Sequence, residues 1–236
     1  HSEQTQSLYH QNGSLQSATH DFNGDGLLDI LLLVGDFDEH FSLFLNQGEG
    51  NFEEHILFKS HPAWGFASFQ LADINQDGHV DIIAANGDNP DADPYNTLKR
   101  YHGIRIYLNG GNLDFEEAYF YPMYGAYHIR IHDYDLDGDL DLAACSFYPD
   151  FEAEEPENFV YLEQTVDMQF APKHHPATQG GRWMTMDAGD LDQDGDVDIV
   201  LGATYIPVGL PKTQEAQLHE QLENGPTLLF LENQTK

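Results

Sequence analysis

Asp190-Leu-Asp-Gln-Asp-Gly-Asp-Val-Asp198 is the stretch on which the reading of this chain turns. Its oxygen-bearing side chains fall at positions 1, 3, 5 and 9, Gly195 stands at position 6, and the apolar run Ile199–Leu201 follows directly. Alternate side chains of so tight a loop point inward, and glycine permits the left-handed turn that the loop needs. The oxygens then converge, which suits a hard cation taking about six to eight oxygen ligands at about 2.3–2.6 Å, as Ca²⁺ does. Asp196, at position 7, is expected to add its main-chain carbonyl, as that position does in other calcium loops.

The pattern recurs as Asp133–Asp141 (DYDLDGDLD), Asp73–Asp81 (DINQDGHVD) and Asp21–Asp29 (DFNGDGLLD). Four copies at near-regular spacing mark a repeat protein. An EF-hand would require a bidentate glutamate at position 12 and a helix beyond it. Position 12 is instead Leu32, Ala84, Ala144 and Leu201, inside the apolar runs Ile30–Val34, Ile82–Ala85, Leu142–Cys145 and Ile199–Leu201. These are too short and β-branched for exiting helices. Each loop joins two strands.

Read outward from the loops, the chain falls into units of four strands, A to D. The expected units span approximately 15–58, 66–121, 126–172 and 183–236, each with the acidic loop between A and B. In the first unit the turn Gln47-Gly-Glu-Gly50 joins C and D as a hairpin. The B–C connection of the second unit, Gly87–His102, is long and contains proline, and that of the third, Tyr148–Asn158, is strongly acidic. Lys212–Glu223 is the one helical stretch, with Leu218 and Leu222 four apart and Gly225 just beyond its end, and it reads as a surface helix at the sheet edge. Residues 4–10 read as a D-type strand, and the fourth unit stops after strand C. A whole number of four-stranded units in circular register is how a ring of sheets closes, so the expected fold is an all-β propeller.

Composition narrows the function classes. The chain has 236 residues, 41 acidic side chains against 9 Lys plus Arg, and a formal net charge of −32. That charge argues against nucleic acid and anionic membranes as partners, since both need clustered positive charge. Crowding of aspartates in the four loops predicts strong self-repulsion without metal. Cys145 is the single cysteine, so no intramolecular disulfide forms, and its place in an apolar strand predicts a small buried hydrophobe. No run approaches the roughly 18 apolar residues of a membrane span, so no insertion is expected. The chain opens at His1 without a signal-like segment and reads as a mature or trimmed form.

Asp-x-[Asp/Asn]-x-Asp-Gly-x-x-Asp before an apolar strand, with later strands ending Leu45-Asn46-Gln47-Gly48 and Leu108-Asn109-Gly110-Gly111, resembles the FG-GAP/VCBS repeat family, to which the integrin α-subunit head also belongs. The phrases Trp64-Gly-Phe, Tyr101-His-Gly-Ile-Arg105 and Gly181-Arg-Trp-Met-Thr-Met186 look like the C-terminal part of large secreted bacterial proteins of that family. The resemblance implies a calcium-stabilised propeller acting in binding, adhesion or assembly in an extracellular, cell-surface or periplasmic setting. It implies up to four structural Ca²⁺. The ligands would be Asp21, Asn23, Asp25 and Asp29 with the Leu27 carbonyl; Asp73, Asn75, Asp77 and Asp81 with that of His79; Asp133, Asp135, Asp137 and Asp141 with that of Asp139; and Asp190, Asp192, Asp194 and Asp198 with that of Asp196. Asn at position 3 lowers the charge of the first two sites, which are expected to bind more weakly. The family's rings usually hold about seven blades, against four here. Either the chain closes as a four-bladed ring or it is part of a larger one, with further blades on the same or another chain; the family habit favours the larger ring.

With the A–B loops at one end of such a fold, the B–C and D–A connections lie at the other. That end gathers Trp64, Lys99, Arg100, Tyr101, His102, Tyr124, His174, His175, Arg182 and Trp183. Aromatics with scattered Arg and His suit recognition of a protein or a carbohydrate; Trp64 and Trp183 each precede an A strand, where packing between blades is the plainer role. An enzyme, such as a polysaccharide lyase, would need a positioned acid, base or nucleophile. His128 and His132 flank Arg130 at period-two spacing and share a face, but no catalytic ordering is visible, and binding is favoured over catalysis. Docking through open sheet edges is a third reading.

Overall fold

The computed structural model describes residues 5–36, 38–208 and 215–235. Its strands form four consecutive antiparallel sheets. The first holds β1 (Ser14–His20), β2 (Asp29–Val34), β3 (His40–Asn46) and β4 (Phe52–Lys59). The second holds β5 (Phe66–Ala72), β6 (Asp81–Asn86), β7 (Gly103–Asn109) and β8 (Phe115–Pro122). The third holds β9 (Ala126–His132), β10 (Asp141–Ser146), β11 (Phe159–Val166) and β12 (Gln169–Lys173). The fourth has β13 (Trp183–Gly189), β14 (Asp198–Ala203) and β15 (Leu228–Leu231). Strands pair in sequence order within every sheet, as repeated meanders do.

Burial follows from stacking sheet on sheet. Strands β6 and β10 are buried along their whole length, because a sheet between two others has no solvent face. Period-two alternation divides their side chains: Ile82 and Ala84 face the first sheet, with Leu31, Leu33, Phe41 and Phe69, while Ile83 and Ala85 face the third, with Ile129, Leu142 and Val160. The third sheet's other face sends Ala143, Cys145 and Phe159 against Trp183, Met186 and Leu201. Alanine at the centre of each inner sheet lets its neighbours approach. Cys145 is wholly buried, and burial pushes its thiol up to about 12, so it packs as the small hydrophobe expected.

Polar bonds join the inner strands. Gln16 of β1 grips the Phe69 backbone of β5 twice, donating to its carbonyl at 2.9 Å and accepting its N–H at 3.0 Å. Ser68 Oγ donates to the Tyr127 carbonyl at 2.8 Å, and Arg130 Nε to Asp187 at 3.0 Å. Sheets one to four are thereby tied in succession. Leu228 and Phe230, on the face of β15 turned away from the third sheet, are 70% and 46% exposed.

Two elements depart from expectation. No strand forms over residues 5–13, and Gln4 lies outside the described residues. The fourth sheet accordingly has three strands. Tyr9 instead packs against His40 and Phe44 of the first sheet, at ring separations of 6.3 and 6.5 Å. A mostly polar segment has little apolar area to gain as a strand, and its aromatic ring finds cover nearby. The helix α1 runs Glu215–Asn224, while residues 212–214 lie outside the described residues. Its Leu218 is buried but Leu222 is 56% exposed, and the Gly225 N–H closes the last turn on the Gln221 carbonyl at 2.7 Å. Among the described residues no helix is long and apolar enough to cross a membrane.

Candidate metal centres

All four acidic loops fold by one mechanism. The position-3 side-chain oxygen accepts the N–H of position 5, from Asn23 to Asp25 (3.0 Å), Asn75 to Asp77 (3.2 Å), Asp135 to Asp137 (3.3 Å) and Asp192 to Asp194 (3.2 Å). The position-5 carboxylate accepts the N–H of position 7, that of Leu27, His79, Asp139 or Asp196. Asp21, Asp73, Asp133 and Asp190 reach forward to the N–H of the position-6 glycine. Those glycines have φ between 87° and 101°, conformations that cost a side chain free energy. Position 4 is also left-handed, even where it is Gln76, Leu136 or Gln193. Successive carboxylates are thus folded inward by backbone amides.

Position 9 is built differently. Asp29, Asp81, Asp141 and Asp198 are fully buried. One oxygen of each accepts the N–H of position 2, at 2.9–3.1 Å. The other accepts an N–H from the end of a C strand, that of Asn46, Asn109, Gln164 or Asn233, at 2.8–2.9 Å. The same Asn or Gln donates its side-chain amide to the position-8 carbonyl and accepts an N–H from the C–D turn or chain end beyond it. This buried clamp accounts for the Leu-Asn-x-Gly phrase. The reading from sequence gave these aspartates only a ligand role and left the asparagines without one; an amide side chain ending each C strand was the visible signal.

The donor set fits a hard cation. Oxygens of Asp133, Asp135 and Asp141 lie within 4.8 Å of one another, as do those of Asp190, Asp192 and Asp194. Asp196 is 1% exposed and neither carboxylate oxygen has a hydrogen-bond partner, and Asp139 Oδ1 is likewise buried and unpaired. Burial, then the neighbouring aspartates, raise the pKa of Asp139 and Asp196. Such a site is short of positive charge, which a divalent ion supplies. In the first two loops Asn23 and Asn75 relieve part of the repulsion by donating Nδ2 to Asp25 (2.9 Å) and Asp77 (3.0 Å).

The aromatic and cationic residues at the other end divide into separate groups. Trp64 and Tyr101 stack at 5.0 Å and 6°, and the Arg105 guanidinium lies 4.7 Å from the Trp64 ring. Arg105 had no assigned role in the sequence reading; it also donates to the Tyr101 carbonyl at 2.6 Å. Arg100, His102 and Tyr124 line a cleft of about 540 Å³ with Asp150, Glu155 and Glu157. His102 is buried with neither ring nitrogen bonded, and burial pushes its pKa down to about 3. His174 and His175 belong to a different groove of about 310 Å³, beside Tyr161 and Leu231; the His175 Nδ1 caps the short turn Pro176–Thr178 through the Ala177 N–H.

Three further residues serve the framework. Lys99 Nζ is engaged by the Asn89 carbonyl, Asp93 and the Thr97 carbonyl. Arg182, 1% exposed, donates to the carbonyls of Phe147, Ile206 and Val208 and lies 4.1 Å over the Phe147 ring. Trp183 is fully buried and donates Nε1 to the Thr178 carbonyl at 2.9 Å. Of the inner-strand trio, Arg130 bridges Asp187 and His128, both at 3.0 Å.

Comparison with known families matches residues 21–84 to the FG-GAP-like repeat. A search of curated proteins gives no match. The matched segment runs from Asp21, opening the first acidic loop, to Ala84 in the strand that follows the second, and so holds two complete loops around one turn of the strand order. Residues 21–84 of this chain are an FG-GAP-like repeat.

Proposed function

We propose that this chain is an extracytoplasmic, calcium-stabilised binding module of β-propeller type, whole or part of a larger ring. Its acidic-loop end is structural and its opposite end recognises a carbohydrate or protein ligand. The observation that carries the reading is the division of labour between the ends. Carboxylates folded inward by their own backbone serve an ion, whereas the cleft of Arg100, His102 and Tyr124 sets a cation and an aromatic ring opposite Asp150, Glu155 and Glu157. Mixed charge around an aromatic suits an oriented polar ligand. Extracellular calcium modules bind in the range of about 10⁻⁴–10⁻³ M, a level met outside the cytoplasm.

The test is binding of the calcium-loaded protein to arrayed polysaccharides and to surface-protein extracts, with Arg100→Ala and Tyr124→Ala as variants. Binding lost in both variants at unchanged calcium content supports the reading. Cleavage of a polysaccharide would replace it with an enzymatic one.

A second reading, lateral assembly, is favoured by the three-stranded fourth sheet with its exposed Leu228 and Phe230. At the other end of the stack Tyr9 packs against Phe44 of the first sheet, where Ile56 is 55% exposed. A monomer at all concentrations in analytical ultracentrifugation would count against assembly.

A further inference from the structure

Residues 5–12 form no strand, yet they lie where an outer strand belongs. The chain enters each of the first three sheets through the same turn. A left-handed glycine, Gly13, Gly65 or Gly125, accepts on its carbonyl the N–H of Gly35, Gly87 or Phe147, just after the second strand, at 2.8–3.0 Å. Ahead of the second and third sheets, what enters that turn is the outer strand of the preceding sheet, β4 or β8. Tyr121 of β8 stands five residues before β9 and packs toward the third sheet; Tyr9 stands five residues before β1. Phe58, at the register of Tyr121 in β4, stacks on Tyr107 at 4.4 Å. Tyr9 meets Phe44 at 6.5 Å. Phe44 and Tyr107 are equivalent, each lying opposite the isoleucine that follows its acidic loop, Ile30 or Ile82. Tyr9 thus makes the contact that the outer strand of a preceding sheet makes.

Both ends of the stack are unfinished in matching ways. The outward face of the first sheet carries half-buried Ile30 and Leu32 and Ile56, which is 55% exposed. The fourth sheet has three strands, so β15 has an open edge, and its outward face carries Val200, Leu228 and Phe230. Inside the stack such apolar faces cover one another, and an open edge presents N–H and C=O groups to a further strand. The fourth sheet does not cover the first within one copy: among the described residues no hydrogen bond, ring contact or apolar cluster joins them. One end therefore holds a surplus outer strand and the other lacks one. A second copy supplies both at once. Two copies of four sheets make a ring of eight, and such rings hold about 4–8 sheets. The halves are then related by a twofold axis, the commonest symmetry of soluble oligomers.

We propose that two copies of this chain close one eight-sheet ring. Residues 5–12 of each pair along β15 of the other, and the first sheet of each covers Leu228 and Phe230 of its partner. This rests on the lateral-assembly reading, whose partner it names. Each copy carries a formal −32, so bound calcium and added salt should both strengthen the pair.

The test is sedimentation equilibrium in about 1 mM Ca²⁺. The wild type is expected at twice the 26.6 kDa chain mass. A chain lacking residues 1–12, and Phe230→Glu, should each sediment as single chains where the wild type is paired. Val166→Glu, at a residue 59% exposed in the third sheet, should stay paired. Mixed, the truncated chain and Phe230→Glu should pair again, because one offers an intact fourth sheet and the other an intact segment 5–12. Hydrogen exchange of the wild type gives a second readout that needs no variant: Leu228–Leu231 amides should lose protection on dilution. A wild type that is a single chain at every concentration overturns this proposal and the assembly reading together. A pair that survives both changes, or β15 protection that dilution leaves unchanged, overturns this proposal and leaves assembly through another surface. A mass that keeps rising with concentration marks an open chain of copies and overturns the ring.

Discussion

Replacing Asp81 with asparagine separates the two jobs an aspartate does in these loops. Asp81 is fully buried and takes the Ile74 N–H at 3.0 Å on one oxygen and the Asn109 N–H at 2.8 Å on the other. Asparagine retains one acceptor and turns an NH₂ toward the second N–H. One charge-assisted bond is lost, about 1.5–3 kcal/mol, and one buried amide is left without an acceptor, about 1–3 kcal/mol. Relief of burial and of repulsion from Asp77 and Asp73, which raise the Asp81 pKa, offsets part of this. A net loss of about 2–4 kcal/mol follows, a large share of the roughly 5–15 kcal/mol that holds a domain together. Urea unfolding followed by tryptophan fluorescence should show the midpoint falling by about 1 M for a slope of about 2–3 kcal/mol/M. The fall is expected in chelator as well as in calcium, because both bonds are internal to the protein. Asp77→Asn should behave in the opposite way, changing little in chelator and more in calcium. An unchanged midpoint for Asp81→Asn in chelator, with a loss only in calcium, would refute the clamp and leave Asp81 a ligand alone.

Other perturbations act through different contacts. Gly125→Ala sets a Cβ 2.2 Å from the Tyr148 backbone at a φ of +67°, and a loss of at least about 3 kcal/mol is expected by thermal unfolding. Arg182→Lys cannot span the three carbonyls that the guanidinium reaches, and about 2–4 kcal/mol should be lost in urea unfolding, with the fourth sheet's amides exchanging first. His102 has a folded pKa of about 3 against an ordinary 6.5, so the unfolded chain takes up its proton first as pH falls. Stability is therefore full above pH 6.5 and is lost down toward pH 3, by about 2 kcal/mol at pH 5. His102→Gln should flatten that slope in an acid titration of the urea midpoint. Chelation of a calcium-saturated protein should lower the melting temperature, with each site contributing about 2.7 kcal/mol at a hundredfold excess over its dissociation constant.

Repeat architecture was legible in the chain because its signals are local. An oxygen at every second position with glycine at the sixth can fold only as a tight loop, and the apolar runs after it are too short for helices. The sheet count and the boundaries of β5, β9 and β13, each of which leads into a loop, followed from those loops. What lies between sheets was not legible, since it depends on partners tens of residues away. Asn46 and Asn109 look like turn residues in the sequence, yet their main-chain N–H groups hold a buried aspartate across 17 and 28 residues. Arg182 and Trp183 stand among the recognition candidates in the sequence through their place before an A strand, with packing between blades the plainer role for Trp183. Tertiary packing buries them, and main-chain carbonyls of neighbouring connections take their hydrogens.

Sequence by itself determined the loops and the chemistry of the ion they suit, because each rests on residues within nine positions of one another. Tertiary structure alone decided that Tyr9 packs on the first sheet and that residues 5–13 form no strand beside the fourth. It alone brought Gln16 of β1 to the Phe69 backbone of β5. The physical reason is the same in both cases. A short loop's geometry is set by its own backbone bonds, whereas the partner of a buried side chain is set by how whole sheets stack.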